Sequence, residues 1–517
     1  MKTKLKRVFA INYYCVALTS AFLAITFLLN KNAHQIFNQD MLHPASFIVD
    51  YRNGVTLSTW HWSPNNYFFP ELAFYWLMNL PFRSLPPIYI QTFYMIFSSF
   101  IFMLSIYIVS SKIFSFDPKA SRSLLAFIGI IFATVYPNYL LPSLRPVYFL
   151  LPWIHTGSYV GCLFSLTVII NSELRPSEHL KLQKVLLGLL TFLLCASDYF
   201  FVIWFVIPIS LTLWHQRRIN DVSTKFFIRL TFLILGSGIS GYVVHKVTNP
   251  SSRKIELETI LLSLERFADT LIQHTGILIF ISIWLIMSTS GFLMSSSSSV
   301  LKADREFLHS SHRAFWLWNF YSLATTFFLI NLYGLFYNEA SFRYFLPLLY
   351  NPVIVFVWLT INVVKLSESY FGKAFVQELN KVFFSVSLAI ALLSFPYICN
   401  FYQSSRQYEL YQCLKNDGVG VLYSEYWNSK AAYVFSEGKI VPRQIADDGT
   451  PYPTSNNGAW YTLKPPKPYL IAIMGDTSFG RKIFPKYESK TCNGFDYKLI
   501  PSSMERRLMD RLPEPRE

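Results

Sequence analysis

Between its first two long apolar runs the chain concentrates acids, imidazoles and aromatics: Asp40, His43, Asp50, Trp60, His61, Trp62, Tyr67, Phe68, Phe69 and Glu71. Asp40 comes soon after the first run, and Asp50 follows ten residues later. Such carboxylates can act as a general base or hold a divalent cation through hard oxygen ligands, so Asp40 and Asp50 are the candidate catalytic residues. Glu71, after Phe69-Pro70, stands where the next helix should start and is a candidate for substrate binding. Trp60 and Trp62 offer flat faces for a substrate. His61 lies between them and fits two roles, a ligand or an interfacial packing residue. Outside this stretch, His155 is a further imidazole ligand. Arg145 and Arg343 are the cations best suited to a phosphate, because a guanidinium presents a planar fork of donors. Arg343, with Tyr344 beside it, opens an apolar run, so interfacial snorkelling explains it as well. Asp40, Glu71 and His155 are the metal candidates. Their spacing specifies no coordination geometry, but oxygen donors suit Mg2+ or Mn2+ better than zinc.

The elements that must position these residues are hydrophobic spans. Of 517 residues, 52% are hydrophobic, 18% aromatic and only 15% charged, against about a quarter charged in soluble domains. Apolar runs near the length needed to cross about 30 Å of hydrocarbon recur along the chain. The expected fold is an all-α polytopic membrane protein with about eleven transmembrane helices, carrying a small C-terminal extracytoplasmic α/β domain. A membrane β-barrel would need short alternating strands instead.

The formal net charge is +15. Much of it lies in short loops, where Lys and Arg set topology, and no basic region interleaved with base-stacking aromatics lies outside the apolar runs. Nucleic acid is therefore not an expected partner; membrane lipid is. Lys2, Lys4, Lys6 and Arg7 precede the apolar run Val8–Asn30, which is read as an uncleaved first span with the N-terminus in the cytoplasm. Further spans are expected near 88–111, 122–136, 157–171, 184–198, 199–214, 229–245, 275–299, 314–336, 344–363 and 382–399. The first outer loop is then 31–87. Expected inner loops carry Arg217, Arg218, Lys225 and Arg229, or Lys302, Arg305 and Arg313; the loop from His245 to His274 breaks the trend.

Two places are irregular. Asp198 interrupts nearly continuous apolar sequence, and a tight outer turn is expected there; an acid at that depth is a turn residue reaching water or a functional group. The segment Tyr136–His155 holds four prolines, which rule out a regular helix. The segment from 247 to 273 has a helical apolar period with charges between, suiting an amphipathic surface helix.

From about Phe401 short β-prone runs alternate with turn signals such as Asp417-Gly418 and Asn457-Gly458. The domain division is therefore 1–400 for the membrane region and 401–517 for the extracytoplasmic domain. No C-x-x-C occurs, so neither a zinc nor a redox motif is expected. Cys413 and Cys492 are the cysteines of the polar C-terminal region and could pair in an oxidising compartment.

The layout resembles the type C (GT-C) glycosyltransferases, over roughly residues 1–400: many membrane helices, a large first outer loop, and an acid, here Asp40, just after the first helix. Arg343-Tyr344 is a weaker echo. The chain is also similar to bacterial membrane proteins of unassigned function with a D-(x)9-D loop, a W-x-W-x-P-x(4)-F-P-[DE] element and a Y-W-x-x-K-A segment. Here these read Asp40 to Asp50, Trp60 to Glu71, and Tyr426-Trp427-Asn428-Ser429-Lys430-Ala431. The sequence departs from the commonest GT-C pattern, since Gln39 rather than a second acid precedes Asp40. The resemblance implies transfer of a hexosyl or pentosyl group from a polyprenyl-phosphate-linked sugar to an envelope glycan or lipid acceptor. It places the chain in a bacterial inner (plasma) membrane with its C-terminal domain periplasmic. Asp40 would deprotonate or orient the acceptor hydroxyl. The alternative is a non-enzymatic glycolipid transporter or envelope assembly protein.

Overall fold

The computed structural model describes residues 37, 39–62, 65–113, 155–174, 180–219, 223–248, 256–296, 310–337, 339–452, 455–466, 468–475, 478, 487, 489–505 and 508. The expected spans near 8–30 and 122–136, and Arg145, lie outside these residues. The described chain is mostly helical with one small sheet. Helices occupy every other segment where a span was expected, from Pro87–Ile113 to Lys373–Asn400. By length and apolarity three of the described helices could cross a membrane: Pro87–Ser110, Thr224–Thr248 and Thr275–Ser296. That is fewer than the eleven or so expected. Thr156–Ile170, Leu182–Ser197 and Ser341–Val357 are apolar but shorter.

Contacts divide the chain into two compact units that do not follow sequence order. The described residues of the first fall in Asn65–Pro70 and Ile96–Phe395. Its core gathers Phe102, Tyr159, Leu163, Trp204, Trp318 and Tyr350 among many apolar side chains. Small residues let its helices approach: a Cβ added at Gly241 would stand 2.4 Å from the Phe192 carbonyl oxygen. The helix Leu257–Gln273 buries Ser263, Phe267 and Thr270 along one face and leaves Leu257, Leu261 and Ile272 exposed on another. It has the two-sided character expected of it from sequence.

The second unit combines the described residues of Leu29–Pro64 and Glu71–Met95 with those of Pro396–Glu517. Its sheet has five strands, β1 (Val419–Ser424), β2 (Val441–Gln444), β3 (Leu470–Met474), β4 (Ser489–Cys492) and β5 (Phe495–Pro501), in the order β2-β1-β3-β5-β4. β1 runs parallel to β2 and β3, and β5 antiparallel to β3 and β4. All six residues of β1 are buried, as befits a central strand covered on both faces. Leu422 packs with Leu410 and Leu414 of the helix Arg406–Asn416. Val421 and Tyr423 pack on the opposite side with Ile445, Ile471 and Ile500. Cys413 and Cys492 form a disulfide with Cα atoms 6.5 Å apart, tying the helix Arg406–Asn416 to β4.

The helix Gln39–Arg52 packs in this second unit against the helix Ser429–Phe435 that follows β1. Asp40 lies in its first turn and Arg52 in its last, the arrangement favoured by the helix dipole. Arg52 Nη1 donates to the Leu85 carbonyl at 2.7 Å and its Nε to Asn79 Oδ1 at 2.9 Å, holding the returning chain. Gly438, at φ 89°, lets the turn after Ser429–Phe435 pass close to this helix: a Cβ there would stand 2.3 Å from Asn53 Nδ2.

Candidate functional site

One face of the helix Gln39–Arg52 carries Gln39, His43 and Asp50, spaced by whole turns of 3.6 residues. All three are buried. Their partners come from the segment 426–433, from Gln444 of β2 and from the loop 455–460, all in the second unit. Gln39 Oε1 accepts from Ser429 Oγ at 2.9 Å and from the Lys430 backbone N–H at 3.1 Å. It thereby satisfies an amide in the first turn of Ser429–Phe435, where no intrahelical acceptor exists.

Asp40 is half-buried. Tyr426, just past the end of β1, donates its hydroxyl to Asp40 Oδ1 at 2.5 Å. Pro44, four residues on, has no N–H to give the Asp40 carbonyl. Asp50 is fully buried. Its Oδ1 accepts from the Tyr433 hydroxyl and from Trp460 Nε1 (2.9 Å), and its Oδ2 from Asn457 Nδ2 (2.8 Å). Burial raises its carboxyl above the usual range, against the opposing pull of these donors. An acid enclosed by three donors is a clamp between the helix and the loop, with no oxygen turned to a substrate.

Between these acids lies Lys430, with 0% exposure. Burial lowers its ammonium to about 7, against the opposing pull of Asp40 and Asp50. Its Nζ is 3.1 Å from His43 Nδ1, which is also 3.3 Å from the Ser455 carbonyl. The ring nitrogen therefore donates to the carbonyl in one tautomer and accepts from Lys430 in the other. Burial first, then the charge of Lys430, keeps His43 well below the usual imidazole range. The Lys430 Nζ also stands 6.0 Å from the centre of the Trp60 ring.

Trp60 is buried, edge-on to both His43 and Trp460; both of its faces belong to the core of this unit. Trp62 is half-buried beside His43 and Phe47. His61 is exposed, its backbone N–H donating to the Asn456 carbonyl at 2.8 Å. Glu71 is buried in the second unit, at the turn leading into the helix Ala73–Asn79.

His155, Arg343 and Tyr344 belong to the first unit. His155 is 2% exposed, and its Nδ1 lies 2.8 Å from Asp198 Oδ2. Arg343 Nη2 donates to the Tyr344 hydroxyl at 3.0 Å, and the Tyr344 ring stacks on Phe200 with centroids 4.9 Å apart. Among the described residues no three of His, Cys, Asp and Glu gather as a group that could hold a metal ion.

The site residues that sequence reasoning did not single out are Tyr426, Lys430, Tyr433, Asn457 and Trp460. Tyr426 and Lys430 stand in the Tyr426–Ala431 motif, which was the available signal. No protein-family model matches the chain, and no curated protein matches its sequence.

Proposed function

We propose that the chain is an integral membrane enzyme of GT-C-like layout, moving a sugar from a polyprenyl-phosphate carrier to an extracytoplasmic glycan or lipid acceptor. About eleven spans, a cytoplasmic N-terminus and an extracytoplasmic region 401–517 complete this reading. Three helices of membrane-crossing length and apolarity support the location. The Cys413–Cys492 disulfide supports an oxidising compartment for the second unit.

The observation that carries the chemistry is the contrast between the two acids of one helix. Asp50 is enclosed by Tyr433, Asn457 and Trp460, whereas half-buried Asp40 takes a hydroxyl from Tyr426. Asp40 is thus the carboxylate placed to accept or orient the proton of an acceptor hydroxyl. Asp50, Trp60 and Lys430 act by holding the helix that bears Asp40.

The test is a transfer assay in membranes, with polyprenyl-phosphate-linked sugars as donors and release of the sugar from lipid as the readout. Asp40→Asn should lower transfer by roughly 10²–10⁴-fold at unchanged protein level. A fully active Asp40→Asn protein would remove the reason for a glycosyltransferase reading. No sugar release by wild type, with loss of envelope function only on deleting 405–517, would favour an assembly protein.

A further inference from the structure

The first unit has a cleft where a turn crosses the two-sided helix Leu257–Gln273. That helix continues through His274 into Thr275–Ser296, which is long and apolar enough to cross a membrane. Its Ser263 Oγ donates to Asn331 Oδ1 at 3.0 Å, near the end of Ser310–Leu332, and accepts the Phe336 N–H at 3.2 Å. The turn after Ser310–Leu332 lies close, because Gly334 has φ 58° and a Cβ there would stand 3.0 Å from Thr259 Cβ. The cleft between helix and turn measures about 210 Å³, with Glu256, Thr259, Arg266, Tyr333 and Tyr337 in its lining. It opens beside the start of Thr275–Ser296, the depth at which lipid headgroups meet a membrane-crossing helix. Tyr333 and Tyr337 are both exposed there, as tyrosines at a membrane–water interface are.

Glu256, Thr259, Ser263 and Arg266 recur at three- and four-residue spacing, on one face of the helix. Glu256 is the N-cap residue, yet its side chain accepts no helix N–H. Arg266 is half-buried, its guanidinium 5.9 Å from the centre of the Tyr337 ring. Among the described residues neither charge makes an ion pair. The cleft therefore presents an acid toward one end and a cation toward the other. Among the described residues of 256–273, Glu256, Glu258, Glu265 and Asp269 outnumber Arg266. That balance repels an anionic headgroup with no cation of its own. Apolar surface adjoins the cleft. Leu257 and Leu261 are 71% and 58% exposed, and a second hollow, lined by Leu257, Leu261 and Leu262 with Glu258 and Glu265, meets the first at Leu262.

We propose that this cleft binds the headgroup of a phosphatidylethanolamine-type membrane lipid, with Arg266 on the phosphate and Glu256 on the ammonium. A guanidinium gives a phosphate a planar fork of donors. A primary ammonium has three N–H donors to offer a carboxylate, which a trimethylammonium lacks. The two charges of this headgroup thus match the two charges that the cleft leaves unpaired. The acyl chains lie along Leu257, Leu261 and Leu262, where apolar surface leaves water. The site rests on the membrane location of the proposed function and owes nothing to sugar transfer.

The test is lipid binding by the full chain, purified in a non-ionic detergent and freed of lipid. Dioleoyl phosphatidylethanolamine, phosphatidylcholine and phosphatidylglycerol are titrated separately, and bound lipid is counted by native mass spectrometry. One phosphatidylethanolamine should bind roughly threefold or more tightly than either other lipid. Arg266→Gln should weaken that binding roughly tenfold, and Arg266→Lys, which keeps the charge, should weaken it less. Glu256→Gln should bring phosphatidylethanolamine down to the level of phosphatidylcholine and leave phosphatidylcholine unchanged, a selectivity that a merely structural role would not produce. Lys381→Gln, on another helix, should change nothing. Variants are compared as protein that elutes with wild type on gel filtration. Equal binding of the three lipids, or binding untouched by the Arg266 and Glu256 variants, overturns the site. Tighter binding of phosphatidylglycerol overturns the ammonium contact and the proposal with it. A failed transfer assay leaves the site standing, whereas a chain that alkali strips from membranes would overturn both readings.

Discussion

Tyr426 donates its hydroxyl to Asp40 across 386 positions of sequence, at 2.5 Å. The contact ties the acid of the first motif to the tyrosine that opens the second. A phenol donating to one carboxylate oxygen fixes how the acid is presented. Tyr426→Phe should therefore lower transfer by roughly tenfold at unchanged protein level. The transfer assay checks this, and an unchanged rate would mean that Tyr426 does not position Asp40.

Asp50 should behave differently. Asp50→Ala would orphan the Tyr433 hydroxyl, Asn457 Nδ2 and Trp460 Nε1 inside the second unit. Each buried donor left unpaired costs about 1–3 kcal/mol. The expected outcome is a large fall in the thermal midpoint in detergent and poor expression, with Asp50→Asn milder because its carbonyl still accepts. An Asp50→Ala protein of wild-type stability that has lost activity would return Asp50 to the chemistry.

The contrast between these acids shows what the sequence carried. Residue types in the first loop were enough to single out Asp40 and Asp50, and the Tyr426–Ala431 segment was marked by resemblance alone. Which acid is enclosed depends on Tyr433, Asn457 and Trp460, which reach Asp50 from 383 to 410 positions away. No periodicity reports a contact of that range. Asp198 was conspicuous as an acid in apolar sequence, but its bond to His155 needed the fold. Hydropathy placed helices well. Among the described helices three are long and apolar enough to cross a membrane, fewer than the spans expected.

The Cys413–Cys492 bond closes a loop with a sequence separation of 79. In the chain-entropy model a loop of that size contributes about 4 kcal/mol. Replacing both cysteines with serine should lower the thermal midpoint of the second unit and abolish the mobility difference between reduced and non-reduced gels. Equal mobility of wild type in both gels, with free thiols detected by alkylation, would show that the bond does not form where the protein resides.

Lys430 gives the second unit a pH dependence whose sign is set by burial. Its ammonium is lowered from 10.5 to about 7 in the folded chain, desolvation outweighing the attraction of Asp40 and Asp50. Between those values the unfolded chain holds a proton that the folded chain has released, so stability rises with pH across that window. It is fully present above about 10.5 and is lost as pH falls through about 7. The limiting slope for one proton is about 1.4 kcal/mol per pH unit. His43, held below 6.5, adds a loss of the same sign at lower pH, because the unfolded imidazole charges first. Lys430→Met keeps most of the side-chain volume and removes the titration. The expected result is a thermal midpoint that climbs from pH 7 to 9.5 in wild type and climbs less in Lys430→Met, measured in one detergent at constant ionic strength. Parallel curves for the two proteins would show that Lys430 stays charged in the fold. The enclosed Lys430–His43 contact would then have to be an ammonium donating to a neutral ring.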